Sequence, residues 1–260
     1  MIVGCNESEF LERCFSSVGF CDEIIYTDLE SNDDSLLIAQ RYTPKVFNAK
    51  KKEVPSGEYA QADMVLFTKN DWVLFIDPDE FIDKQLANEI ELEFAKISSQ
   101  KNIGAMIVPW QFYFKGKKLK GTVWGGRNNK FLIAHKDRFQ IEKITHLGRK
   151  LRQHYDYYEI HLNSEKTNVL HHYWMNSFRI FFRKHQRYLK LEAKNQFEQG
   201  QRMSLIKMLA TPYREFKYSF FKKKGYLDGF LGFFLSCFWA YYQMWVAVGL
   251  YYLSKRAVNS

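Results

Sequence analysis

Trp72 to Ile76 reads WVLFI, five apolar residues without alternation, and Asp77-Pro78-Asp79-Glu80 follows at once. An unbroken apolar run of this length suits a strand covered on both faces, as in a parallel sheet flanked by helices. Three carboxylates in four residues cannot continue into such an interior, so the chain turns at the sheet edge. Pro78 has a fixed φ and no N–H, which stiffens that turn.

The residues before this strand alternate in the same sense. Ile2 to Cys5 is a short apolar run, and Phe10, Leu11, Cys14, Phe15 and Val18 recur at helical spacing. EIIYT (23–27) is a second strand, followed by the polar loop DLESNDD and a short helix through Leu36, Leu37, Ala39 and Gln40. Lys45 to Asn48 is a third strand. The loop VPSGE leads into a helix from Glu58 to about Lys69. Strand and helix in turn, with short connections, predict an α/β fold with a mainly parallel sheet and helices on its faces. Ligands of such sheets bind at the carboxyl ends of the strands, where both acidic loops, 28–34 and 77–80, must lie.

Charge is unevenly spread. Residues 1–100 carry 9 Lys/Arg against 20 Asp/Glu, and residues 101–260 carry 29 against 9. An acidic part suited to a cation thus precedes a basic part suited to an anionic partner. Like charges at 77–80 repel, and a divalent cation offsets that repulsion. Hard oxygen ligands suit Mg²⁺ or Mn²⁺, whose shell is commonly completed by substrate phosphates. The plainer alternative is an acidic turn that caps the next helix. The four cysteines form no C-x-x-C, so neither a zinc ribbon nor a disulfide framework is indicated, and a reducing compartment is expected. No secretory leader is expected from the opening MIVGCNESEF.

Three segments in order carry a family resemblance: VGCNESEFLERCFSSV, DEIIYTDLESNDDS and YAQADMVLFTKNDWVLFIDPDE. The chain resembles glycosyltransferase family 2, the inverting, nucleotide-sugar-dependent enzymes of GT-A fold. LHHYWMNS with the basic-aromatic helix after it, and KKGYLDGFLGFF, look like the branch that glycosylates the lipopolysaccharide inner core. The resemblance implies that Asp79 binds the metal bridging the donor diphosphate. It places Asp77 near the ribose or the metal shell, Asp28 at the nucleoside, and Asn6 and Glu7 along its pocket. One histidine of LHHYW, taken as His172, completes the metal shell; His171 and His172 are adjacent, so on a strand they face opposite sides. Inverting transfer needs a base for the acceptor hydroxyl. The branch often carries an acidic residue just after a histidine, but here the place reads Ile144-Thr145-His146-Leu147, which leaves Glu142, Asp137 and Glu80 as candidates. Arg127, with Lys130, Lys136 and Arg138, is read either as neutralising a leaving diphosphate or phosphorylated acceptor, or as an ordinary basic edge strand. Asp28 and Asp33 also suit Asx turns, and Glu7 a helix cap.

The last third changes character. Phe178 to Gln199 reads as a basic-aromatic helix, Lys222–Lys224 follow, and Gly229 to Leu253 contains no charged residue before Lys255-Arg256. Length permits a bilayer span, but aromatics run through the whole stretch, which favours a helix lying in the membrane interface; a buried helix is the other alternative. No nucleic-acid-binding module is recognisable. The expectation is a GT-A-like domain over 1–175 and a helical, membrane-associating region over 176–260. It transfers a sugar from a nucleotide sugar, UDP-linked, to a glycolipid such as lipopolysaccharide core. It works at the cytoplasmic face of the bacterial inner membrane as a peripheral or monotopic protein. The competing expectation is a non-catalytic, membrane-surface nucleotide-sugar-binding protein that lacks a base.

Overall fold

Strands of three residues separated by helices build the first part of the chain. A computed structural model describes residues 1–54, 57–126, 129–141 and 149–259. β1 (Ile2–Gly4), α1 (Ser8–Ser17), β2 (Tyr26–Asp28), α2 (Ser35–Tyr42) and β3 (Val46–Asn48) follow in order, and the three strands pair in parallel. α1 forms because Leu11, Cys14 and Phe15, at i, i+3 and i+4, give it one buried face. α3 (Gly57–Met64) ends earlier than the expected Lys69. A 3₁₀ turn, Val65–Phe67, replaces its last residues, and the Thr68 hydroxyl closes that turn by donating to Val65 O at 2.8 Å.

The apolar run at 72–76 lies in the interior as expected. Its regular part is β4 (Trp72–Leu74), and Val73 to Ile76 are all buried. The amino group of Met1 donates to Leu74 O at 2.7 Å and Ile76 N donates to Met1 O at 3.2 Å, the pattern of a parallel neighbour. The order β3-β2-β1-β4 is therefore parallel throughout. Beyond β4 the pairing reverses. β5 (Glu80–Ile82) and α4 (Lys84–Ile97) come next, α4 capped by Asp83, which accepts from Leu86 N at 2.7 Å. β6 (Ile103–Phe114), β7 (Lys117–Lys118), α5 (Thr122–Gly125), β8 (Asn129–His135), β9 (Phe139–Ile141), β10 (Arg149–Leu151), β11 (Asp156–Glu159) and β12 (Leu170–Met175) follow. The second sheet runs β4-β8-β6-β12-β5, with β8 antiparallel to both β4 and β6. The basic segment 129–138 is thus built on a strand between two others and not on an edge strand.

The chain divides into two compact units, Met1–Trp110 with Asn129–His172, and Gln111–Asn128 with Tyr173–Ser260. The sequence alone places the division at 175 and assigns 111–128 to the first part. In the first unit, Ile2, Leu11, Phe15, Tyr26, Ile76, Leu86, Ile90 and Met106 form the main core. In the second, β12 leads into α6 (Phe178–Glu198), α7 (Leu205–Lys217) and α8 (Gly229–Asn259). α6 matches the expected basic-aromatic helix, and Ser177 caps it by accepting from Ile180 N. α7 has no counterpart among the elements expected from the sequence. Aromatic rings fill this unit: Phe181 lies 4.4 Å from Phe238 and 5.5 Å from Trp174, and Trp124 lies 4.8 Å from Trp174. α6 and α7 both pack along α8, burying Leu235, Ala240, Val246, Ala247 and Leu250.

Asp228 ties residues 119–121 to this helical part. Its two carboxylate oxygens accept from Lys120 N and Gly121 N, each at 2.8 Å, and it is 4 % exposed. Gly121 is required there, since a Cβ would fall 2.1 Å from Lys224 O. Asp228→Ala strands the buried Gly121 N–H and the part-buried Lys120 N–H and should destabilise the protein by about 1–3 kcal/mol. Denaturant unfolding checks this, and an unchanged midpoint would show that the contact is not structural.

Candidate active site

The loops after β1 and β2 are sewn together by hydrogen bonds from backbone N–H groups to side chains. Asn6 N donates to Ser31 Oγ at 2.9 Å, Asn32 N to Asn6 Oδ1 at 2.8 Å, Glu7 N to Ser35 Oγ at 2.9 Å and Ser8 N to Asp33 Oδ2 at 3.1 Å. Asn6 sits at φ 57°, in the left-handed region that Asn tolerates better than most residues. Asp28 is buried; its Oδ2 accepts from Ser31 N at 2.8 Å and its Oδ1 from the Tyr26 hydroxyl at 3.2 Å. Asp33 likewise accepts from Ser35 N at 3.0 Å. Both aspartates therefore make turns with their own loop. Glu7 occupies the N-cap position of α1, but its side chain makes no cap bond. Asp33, from the neighbouring loop, accepts from the helix start instead, so the expectation of a Glu7 cap is corrected.

The Asp77–Glu80 turn lies beside this loop pair. Gly4, the last residue of β1, lets it approach: a Cβ there would lie 2.8 Å from Tyr26 Oη and 3.1 Å from Pro78 Cγ. The turn closes on itself, with Glu80 N donating to Asp77 O and Asp77 N to Glu80 Oε2, both at 2.9 Å. The Cys14 thiol, from α1, donates to Asp77 O at 3.5 Å.

The acidic turn is partly neutralised from within the protein, one cation against three carboxylates. Lys130, on β8 and 8 % exposed, donates from Nζ to Asp77 Oδ2 at 3.0 Å and also to Glu80 Oε2. Glu80 is 1 % exposed, and burial pushes its carboxyl above the ordinary range while Lys130 opposes the shift. His172, on β12, brings Nε2 to 3.3 Å from Asp79 Oδ2 and Nδ1 to 4.0 Å from Glu80 Oε1. The Trp110 ring stacks on His172, with centroids 5.2 Å apart and planes 2° apart, and Lys130 Nζ lies 5.2 Å from the same indole. His171 faces the other way, stacked on Phe81 at 4.3 Å and 3.3 Å from Asp83 Oδ2.

Asp77, Asp79, Glu80 and His172 are thus brought together, beside the loop that holds Asn6, Glu7 and Asp28. Asp137 is not among them. It follows His135, which pairs with Trp72 at the start of β4, whereas Lys130 reaches the turn beyond the end of β4. Arg127 and Glu142 lie outside the described residues, as does the segment 144–147. Lys136 pairs with Asp71 at 2.9 Å, and Arg138 donates to Gln100 O and Ile103 O, so both serve the opposite end of the sheet. A cavity of about 450 Å³ lined by Phe15, Glu23, Tyr42 and Lys69 also opens at that amino-terminal edge, away from the acidic turn. The sequence suggests Lys130 as an anion binder or as part of an ordinary basic edge strand, not as an internal counter-ion, and gives no sign of Trp110. Nothing in the pattern of WQFYF marks that ring.

Among the described residues no group of three or more His, Cys, Asp or Glu side chains converges on one point. Asp79 and His172 nevertheless present a carboxylate oxygen and an imidazole nitrogen together, and the side chain of Asp77 is 43 % exposed. Mg²⁺ is often held by only one or two protein groups plus substrate phosphates. The donors fit a divalent ion held jointly with a diphosphate and do not fit a self-contained protein site.

No family model matches the chain. An uncharacterized glycosyltransferase of Rickettsia typhi is 27% identical over 265 residues, covering 99% of this chain and 88% of that protein. The lipopolysaccharide core biosynthesis glycosyltransferase LpsC of Rhizobium meliloti is 23% identical over 252 residues, 96% of this chain and 90% of the relative. The chain resembles glycosyltransferases along nearly its whole length. That resemblance supports a glycosyltransferase and leaves donor, acceptor and stereochemistry to be argued separately. Among solved structures, glucosyl-3-phosphoglycerate synthase from Mycobacterium tuberculosis aligns with 52% of this chain and 55% of its own, at 17% identity and a TM-score of 0.35.

Lys130→Met leaves Glu80 buried without its cation and should cost about 3–5 kcal/mol, and adding Glu80→Gln should recover much of that loss. Denaturant unfolding of both single variants and the double variant reads the coupling; a double-variant loss equal to the sum of the two single losses would show that the pair is not coupled. Acid should act elsewhere, on the stitched loops. Burial raises the Asp33 carboxyl, but hydrogen bonds from Ser35 and Ser8 outweigh it and hold the group down at about 2. A depressed carboxyl stabilises the fold above its unfolded value of about 3.9, and that contribution disappears as pH falls toward about 2. Asp33→Asn should therefore flatten the loss of thermal stability across that window, and an unaltered acid profile would refute the assignment.

Proposed function

We propose that the protein transfers a sugar, with inversion, from a nucleotide sugar to a glycolipid acceptor of the lipopolysaccharide-core type. The observation that carries this reading is the pair Asp79 and His172 beside the exposed Asp77 carboxylate, at the carboxyl edge where the loops after β1 and β2 meet. The family resemblance supports a UDP-linked donor, and the name of the Rhizobium meliloti relative supports the acceptor class.

In this reading Asp79 and His172 hold Mg²⁺ or Mn²⁺, which supplies Lewis-acid stabilisation of the leaving diphosphate. Asn6, Glu7 and Asp28 shape the nucleoside pocket, and Arg127 adds positive charge for the diphosphate. Lys130 and Glu80 fix the turn that carries Asp77 and Asp79. The base takes a proton from the acceptor hydroxyl as that oxygen attacks the anomeric carbon. Glu80 is committed to Lys130, and Asp137 lies at the far end of β8. We therefore give the base to Glu142.

Asp79→Ala tests the reading. It should abolish metal-dependent thermal stabilisation by UDP and abolish sugar transfer, while the melting temperature without ligand stays near that of the parent. Metal dependence that survives in the variant would overturn the metal assignment. Metal-dependent donor binding by the parent protein, with no transfer to any lipid acceptor, would instead favour the non-catalytic binding protein.

A further inference from the structure

The second unit carries an apolar face that no element of that unit covers. On α7, Leu205, Ile206, Leu209 and Tyr213 fall within one arc of the helix, and they are 50 %, 81 %, 69 % and 73 % exposed. The opposite side of α7 faces inward. Thr211 is buried, Glu215 accepts from Trp239 Nε1 on α8 at 3.0 Å, and Ser219, just past the helix, bonds Ser236 at 2.9 Å. The exposed apolar arc is therefore not the packing face. α8 presents a second row, Phe230, Phe233, Tyr241, Trp245 and Tyr252, each 46 % or more exposed. The two rows meet where Phe216 and Phe220 stack at 5.4 Å and Phe233 meets each at 5.9 Å.

The charges around this face are of one sign. From Arg202 to Phe230 there are seven Lys/Arg and two acidic residues. Asp228 is turned inward to the backbone of residues 120 and 121, and Glu215 accepts from Trp239 with one oxygen and pairs with Arg214 at 3.1 Å through the other. Lys217, Arg214 and Lys207 are exposed and form a band along one flank of α7, between its apolar arc and its packed side. An apolar stripe edged with cations is the pattern of a helix that lies in the interface of an anionic bilayer. A soluble protein rarely leaves so continuous an apolar patch in water.

We propose that α7 and the outward row of α8 form one membrane-docking face that lies flat on a bilayer of anionic phospholipid. Its apolar side chains enter the headgroup boundary and its cations meet the lipid phosphates. α7, and not the uncharged stretch of α8 alone, is then the principal contact, and α8 does not cross the bilayer because α6 and α7 pack along it. This inference is independent of the transfer reaction, and its test reads no turnover.

The experiment is co-sedimentation of the full chain with phosphatidylcholine vesicles containing phosphatidylglycerol, compared with pure phosphatidylcholine. The parent should bind the anionic vesicles and bind the neutral ones weakly. Ile206→Glu with Leu209→Glu changes only exposed positions and should lower anionic-vesicle affinity by about tenfold or more. Lys207→Gln with Lys217→Gln should lower it less, and mainly at low salt. Ile206→Cys in a background with Cys5, Cys21 and Cys237 replaced by Ser, because Cys237 is an exposed thiol on α8 itself, should carry an environment-sensitive dye whose emission shifts to the blue on anionic vesicles, which reports burial of that position. Full binding by the Ile206/Leu209 variant, or no dye shift, would overturn the proposal. Binding to RNA without binding to vesicles, or a solution dimer whose formation protects Ile206→Cys from labelling, would overturn it as well.

Discussion

One buried cation holds the acidic edge together. Lys130 reaches from β8 to Asp77 and Glu80, so the strand that ends in three carboxylates is not left with their mutual repulsion. Taking such charges out of water is costly, and attraction between them offsets that cost only where the geometry is good and the remaining oxygens find donors. Here Lys130 and the backbone N–H of Asp77 both donate to Glu80 Oε2, while the buried Oε1 makes no hydrogen bond among the described residues and has His172 Nδ1 4.0 Å away. With Glu80 held inside, Asp79 faces His172 and Asp77 keeps the exposed carboxylate. The internal pair and the candidate metal ligands are thus parts of one arrangement.

Much of this is legible in the sequence because it depends on local patterns. The apolar run at 72–76 requires an interior strand, and the acidic turn after it requires an edge. Alternate positions on one strand require His171 and His172 to face opposite ways, as they do. The order of strands and helices predicts the parallel part of the sheet. What the pattern does not give is pairing over long separations. Nothing near Lys130 marks it as the partner of residues some fifty positions earlier, and β8 reads as an edge strand because its neighbours β4 and β6 are distant in sequence. Trp110 is invisible for a similar reason, since its role exists only once β12 lies alongside β6.

The C-terminal part shows the opposite failing. Composition is most unusual in the uncharged stretch from Gly229, and it overshadows 205–217, where hydrophobic and basic residues are mixed. That mixture is the more informative signal. A helix that is apolar all round says little about which side faces what, and α8 is covered along one side by its own neighbours. A helix such as α7 buries Thr211 and turns the half-buried Glu215 toward α8, while exposing Ile206 and Leu209. That reverses what packing within one soluble domain calls for.

The stitching between the loops after β1 and β2 has a consequence for how charge is balanced at the edge. The start of a helix is a natural seat for a phosphate, because its first N–H groups point outward and the helix dipole favours an anion. In this chain that seat is taken: Asp33 accepts from Ser8 N, and the N–H of Glu7 is spent on Ser35. The loop after β2 supplies α1 with its counter-anion. An anion proposed to sit at this edge would meet a helix start already occupied by Asp33 and a pair of carboxylates, so a cation would have to come with it.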